Sequence, residues 1–144
     1  MTIITDIAAA ETQAVEQLAA RWEKAWNDHD GDAVAAMCDE NLIYDEPELG
    51  ETAYGREAIR GLVRQLDRAI PDHTFEVVGV YADIARRSVV VAWRLTGTHA
   101  TTGARLDFHG DDRLDVGPDG LIAEHRCLYD RSLVLRQIHQ AASA

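Results

Sequence analysis

Residues 105–116, "RLDFHGDDRLDV", read in two registers. Every second residue from Arg105 gives Arg, Asp, His, Asp, Arg, Asp, and every second from Leu106 gives Leu, Phe, Gly, Asp, Leu, Val. A strand sends alternate side chains to opposite faces, so the first set faces water and the second a core. Asp112 breaks the second set. Among Leu106, Phe108, Leu114 and Val116, a carboxylate without compensation is costly or takes up a proton. A neutral acid in an apolar wall is a hydrogen-bond donor, useful where an oxygen-bearing apolar molecule is handled. A second acid, Glu46, ends "NLIYDEP" beside Pro47, on the side of Leu42 and Tyr44. A partly solvated carboxylate at a strand end stays ionised and can act as a base, so the two environments push the pKa values apart. Both acids are therefore candidate functional residues on the inner face. Two plainer readings stay open: Glu46 as a solvated rim residue, and Asp112 as a framework acid paired with a buried Arg or Trp donor.

The elements that must position these acids follow from periodicity. From Glu11 to about Asp28, Val15, Leu18, Ala19, Trp22 and Trp26 recur at helical spacing. "NDHDGD" breaks that helix, and Asp32 is expected to cap a short second one running through Ala33, Val34 and Met37, with Cys38 as a helix residue. After the strand at "NLIYDEP", "GREAIRGLVRQLDRAI" reads as a helix that stops before Pro71. Four strands follow, "HTFEVVGVYADI", "RSVVVAWRLTGTH", "ARLDFHGDDRLDV" and "LIAEHRCLYD", with a tight turn at "GPDG", and "SLVLRQIHQ" is expected to add a helical turn. Short connections favour antiparallel neighbours, so the class is α+β, with helices filling the concave side of a curved antiparallel sheet.

The period of two then assigns the concave lining. Val89, Val91, Trp93, Leu95 and Gly97 share a face, with His99 at its end. Leu121, Ala123, His125, Cys127 and Tyr129 share another, with Glu124, Arg126 and Asp130 turned away. Tyr44, Trp93, Phe108 and Tyr129 are read first as core aromatics that also border any ligand. His125 can donate to a buried carbonyl, whereas His109 lies on the polar face. Cys127 is read as an apolar filler, with a thiolate activated by His125 as the alternative.

Composition bounds the function. The chain has 144 residues, enough for one domain spanning 1–144, and carries 14 Lys and Arg against 25 Asp and Glu, a net charge of −11. Scattered basic residues on an acidic chain argue against nucleic-acid and anionic-membrane partners. "MTIITDIAAAETQ" has no basic residue, and no apolar run spans a bilayer, so a cytoplasmic protein is expected. Cys38 and Cys127 form neither a disulfide framework nor a zinc spacing, and no H-E-x-x-H occurs. Neither metal nor cofactor is expected.

The element order, with "WNDHDGDAVAAMCDENLIYDEP", "GREAIR", "IPDHTFEV", "GTHATTG" and "DGLIAEHRCLYD", resembles the SnoaL-like proteins of the nuclear transport factor 2-like superfamily. The resemblance implies a cystatin-like α+β barrel: a cone-shaped, curved antiparallel sheet wrapped around three N-terminal helices and an apolar pocket. It also implies a homodimer binding a small hydrophobic ligand. In polyketide cyclases and limonene epoxide hydrolases of this group, an Asp follows His-Arg in the last strand, where this chain has Cys127 in "HRC". The epoxide hydrolases add an Arg and an Asp where Trp93 and Leu95 align. Ketosteroid isomerases match better: their base precedes a Pro, as Glu46 does, and their oxyanion-hole Asp aligns with Asp112. Their helix-1 Tyr aligns with Trp22, here a candidate substrate contact. The implied function is cofactor-independent proton transfer next to a carbonyl, as an isomerase, dehydratase or cyclase. The alternatives are a non-catalytic binder of an apolar molecule, a structural protein with a filled cone, or a cyclase or epoxide hydrolase despite Cys127.

Overall fold

A computed structural model describes residues 2–143, with side chains for 9–140. Helix α1 (Thr2–Asn27) starts earlier than its apolar stripe and buries Ala19, Trp22 and Trp26. Helix α2 (Gly31–Ala36) is capped by Asp30, whose carboxylate accepts from Ala33 N–H at 3.0 Å. The expected cap, Asp32, sits in the first helical turn instead. Cys38 is not helical either. It opens strand β1 (Cys38–Asp45), where pairing with Ile122 captures the chain.

The two-residue β2 (Ala53–Tyr54) pairs with β1 and leads into α3 (Arg56–Ala69), which ends ahead of Pro71. Strands β3 (Thr74–Asp83), β4 (Ser88–Thr98), β5 (Arg105–Val116) and β6 (Ile122–Tyr129) form the expected meander. The sheet order is β2-β1-β6-β5-β4-β3. It differs from expectation in one pairing, since β1 and β6 run parallel. The whole meander separates them in sequence, so no short connection dictates their direction. The fold is α+β, as read from the sequence, with a curved, mixed and unclosed sheet whose edges are β2 and β3.

Alternation along β5 holds: Leu106, Phe108, Asp112 and Leu114 are buried between exposed neighbours. Along β6 it holds only from His125. Ile122 is fully buried and Ala123 exposed, because the β5–β6 register shifts between Asp115 and Val116. A bulge of this kind turns one residue to the opposite face, which removes Leu121 and Ala123 from the inner set. The C-terminal segment forms a complete helix, α4 (Arg131–Ser143), packed on β5. No helix among the described residues is long and apolar enough to cross a membrane.

One glycine fixes an aromatic wall. A Cβ on Gly110 would lie 2.3 Å from the Trp93 ring and 2.7 Å from the Leu128 carbonyl. The indole is thus laid against bare backbone of the neighbouring strand. Gly110→Ala should displace Trp93 and cost about 1–3 kcal/mol, read by denaturant unfolding together with a changed tryptophan emission; unchanged stability and emission would refute this packing.

Candidate active site

The inner face of the sheet, α3 and α4 enclose a cavity of about 300 Å³. Glu46 and Asp112 both line it, from the end of β1 and the middle of β5. So do Tyr44, Trp93, Phe108, His125, Cys127 and Tyr129. Trp22 does not. It is fully buried behind Asp112 and donates its indole N–H to Asp112 Oδ2 at 2.9 Å. Among the wall residues the sequence reading missed are Trp26 on α1, Glu48 after β1, Ile70 after α3, Phe75 on β3, and Val134, Leu135 and Ile138 on α4. The α4 apolar spacing was legible, but a short terminal segment gave no sign of where it would pack.

Asp112 is not the neutral donor expected from its apolar register. Its other oxygen, Oδ1, is 3.0 Å from His125 Nε2, which reaches it from the next strand. Burial by itself raises the carboxyl pKa, but the His125 charge interaction and hydrogen bond, with the Trp22 bond, outweigh it. The Trp93 N–H adds to this without reaching hydrogen-bond geometry. The group is held below its ordinary range and is an anion at neutral pH. Both donors are remote in sequence, 90 and 13 residues away, so neither could be read from the strand itself.

With Asp112 ionised, His125 presents Nε2–H to it, and Nδ1 has no hydrogen-bond partner among the described residues. His125 is clasped edge-on by Trp22, with centroids 5.1 Å apart and planes at 90°, and lies 5.0 Å from the Tyr44 ring. Among the described residues five buried side-chain polar atoms lack a hydrogen-bond partner. Four belong to residues lining this cavity: Trp26 Nε1, Tyr44 Oη, Trp93 Nε1 and His125 Nδ1. Buried polar atoms are rarely left so.

Glu46 is only 7% exposed, so it does not sit solvated on the rim. Burial pushes its pKa up, and the nearby Glu48 charge adds to this. Tyr129 Oη is 3.4 Å from Glu46 Oε2 and 3.2 Å from Glu48 Oε1, while Arg131 Nε donates to the same Glu48 oxygen at 3.0 Å. A phenol has one proton for these two acceptors. The shorter contact directs that proton to Glu48, and Glu46, raised by burial, takes up a proton more readily than an ordinary carboxylate. Cys127 is a poor nucleophile here: burial first, then the Asp112 charge, raises its thiol pKa well above the ordinary value. Burial likewise pushes Cys38 up to about 12.

The chain is thus an α+β protein with a pocket lined by aromatic and aliphatic side chains on the inner face of its sheet. The chain belongs to the SnoaL-like domain family, which matches residues 19–125. None of the curated proteins matches it. Among solved structures, a putative polyketide cyclase from Xanthomonas campestris pv. campestris is 21% identical (TM-score 0.79; 89% of this chain, 98% of that one). A hypothetical protein with a ketosteroid isomerase-like fold from Catenulispora acidiphila, solved in complex with trimethylamine, is 20% identical (TM-score 0.74; 83% and 90%). An epoxide hydrolase of the LEH-like type from M. tuberculosis is 18% identical (TM-score 0.70; 92% and 94%). At these identities the likeness is one of fold.

The Asp112 arrangement makes a stability prediction with a definite sign. Asp112→Leu strands two buried donors, Trp22 Nε1–H and His125 Nε2–H, and should cost about 2–4 kcal/mol at pH 7. A carboxyl held low in the fold stabilises above the unfolded pKa, and that contribution disappears as pH falls through the folded value. The gap between wild type and variant should therefore narrow in acid. Denaturant melts at pH 7 and pH 3 test this; an equally stable or more stable variant at pH 7 would show Asp112 to be a strained site residue instead.

Proposed function

We propose that the cavity binds a small hydrophobic molecule bearing a carbonyl or comparable oxygen, and that Glu46 removes a proton from the carbon beside it. The observation that carries this reading is the set of four unpartnered polar atoms in an otherwise aromatic and aliphatic wall. The Trp26 and Trp93 indoles and the Tyr44 hydroxyl are donors, so they fit an acceptor oxygen and favour the negative charge that develops there on enolisation. Burial keeps the Tyr44 pKa above its ordinary value, so it stays a donor.

Glu46 supplies the base. Its raised pKa brings it closer to neutrality, where a carboxylate both exists in its basic form and retains the proton it takes. Asp112 is a positioning residue in this scheme. It accepts from His125 Nε2–H and so orients the ring, in the way an acid orients a catalytic imidazole, with Nδ1 left without a hydrogen-bond partner among the described residues. Phe108, Tyr129 and the Cys127 side chain shape the apolar part of the pocket, with Cys127 as a thiol. An isomerase, dehydratase or cyclase acting without a cofactor is consistent with this proton traffic. The cytoplasmic location expected from the sequence and the homodimer implied by the family resemblance belong to the same proposal.

The test is hydrogen exchange in D₂O, using cyclic ketones of one to three rings with 2-decalone as first probe, followed by ¹H NMR. Wild type should accelerate exchange at the carbon beside the carbonyl, and Glu46→Gln should slow it by about 10²–10⁴-fold without loss of ketone binding. Binding without accelerated exchange in the wild type would leave a ligand-binding module, and equal exchange in Glu46→Gln would remove Glu46 as the base.

A further inference from the structure

Helix α4 supplies one wall of the cavity through Val134, Leu135 and Ile138. Leu135, Gln65 on α3 and Glu48 all line the cavity and are exposed, so its mouth lies among them. We propose that α4 is a hinged lid over this mouth, pivoting at Asp130, and that the Gln137 side chain is the latch that holds it against β5. The lid governs access to the cavity, and the proposal rests on reading that cavity as a ligand site.

The attachment of α4 is concentrated at one end and along one side. Strand β6 ends at Tyr129 and α4 begins at Arg131, so a single residue, Asp130, joins them. The first turn is well held there: Asp130 Oδ1 accepts from Leu133 N–H at 3.1 Å, and Arg131 Nε donates to Glu48 at 3.0 Å. Beyond it α4 packs on β5, and no other helix packs on it to a comparable extent. A helix attached in this way can swing about its first turn while the sheet stays intact. Elements with few supporting contacts open locally at a fraction of the free energy of global unfolding.

Further along the helix, Gln137 fastens it to β5. Its Nε2 donates to the Asp107 carbonyl at 2.8 Å, and its Oε1 accepts from the Asp107 N–H at 3.1 Å. The carboxamide stands in for the peptide group of an absent strand: pairing with β6 begins only at Gly110, so β5 has no strand on that side at Asp107. Asp107 is itself held, because Arg94 on β4 grips its carboxylate through two bonds of 2.8 and 2.6 Å. At a rise of about 1.5 Å per residue, Gln137 stands about 9 Å along the helix from Arg131. It lies between Leu135 and Ile138, the wall residues that a swing of α4 would carry outward. Both latch bonds are exposed. Water replaces such bonds readily, so each adds only a little net stability and release is cheap.

The full chain carries its own reporters of opening. Cys127 lines the cavity, whereas Cys38 is fully buried and does not line it. Small N-methylmaleimide and bulky N-(1-pyrenyl)maleimide share one thiol chemistry, so the ratio of their rates at Cys127, read by peptide mass spectrometry, reports the width of the mouth. Gln137→Ala keeps a strong helix former in α4 and should raise the pyrenyl-to-methyl ratio at Cys127 about fivefold or more, with Cys38 unchanged. An unchanged ratio, or a Cys127 that the pyrenyl reagent never reaches in the variant, would overturn the proposal. A rise matched at Cys38 would mean global loosening and would overturn it equally. No ligand is needed, so failure of 2-decalone to bind would count against the carbonyl reading of the cavity, while the labelling ratio decides the lid.

Discussion

A buried carboxylate survives in a protein interior only when hydrogen bonds replace its water. Asp112 satisfies that condition with one donor from α1 and one from β6, so a single charge on β5 joins the first helix to two strands. The same bonds set the rest of the site. They commit Trp22 to the framework and hold the His125 ring by its Nε2–H, while Trp26 Nε1, Trp93 Nε1, Tyr44 Oη and His125 Nδ1 have no hydrogen-bond partner among the described residues. The wall is thereby divided into a satisfied part that holds the fold and an unsatisfied part available to a ligand.

The cavity persists because its boundaries are independently fixed. Trp93 lies on Gly110, so its indole cannot slide across β5. The bulge at Ala123 lets β6 bury Ile122 at one end and still turn His125, Cys127 and Tyr129 inward at the other. At the mouth, Arg131 holds Glu48, Glu48 accepts a hydrogen bond from the Tyr129 hydroxyl, and Glu46 lies behind them, buried and with no cationic partner among the described residues. Burial thereby raises its pKa, which suits the base proposed above.

The alternation in "RLDFHGDDRLDV" was sufficient to place Asp112 in the interior, and "YDEP" to aim Glu46 at the same cavity, because strand periodicity is a local property. The ionisation state of Asp112 was not legible, since it depends on Trp22 and His125 from other elements. The β6 bulge defeated simple alternation at Leu121 and Ala123 for a related reason, as its register is set by pairing with β5. Asp30 took the cap expected of Asp32 because the turn at His29, with φ 54°, starts the helix two residues earlier. Parallel pairing of β1 with β6 and the docking of α4 were also beyond the sequence. Both are long-range contacts whose partners are far apart along the chain.

The chain contains three tryptophans, Trp22, Trp26 and Trp93, and the division of the wall assigns them opposite behaviour. The direct measurement is an ¹H–¹⁵N spectrum of the three indole N–H groups during titration with 2-decalone. The account predicts that the Trp26 and Trp93 resonances move as they gain a hydrogen-bond acceptor, while Trp22, bonded to Asp112 throughout, stays in place. A Trp22 resonance that follows the ligand while the other two remain still would contradict it.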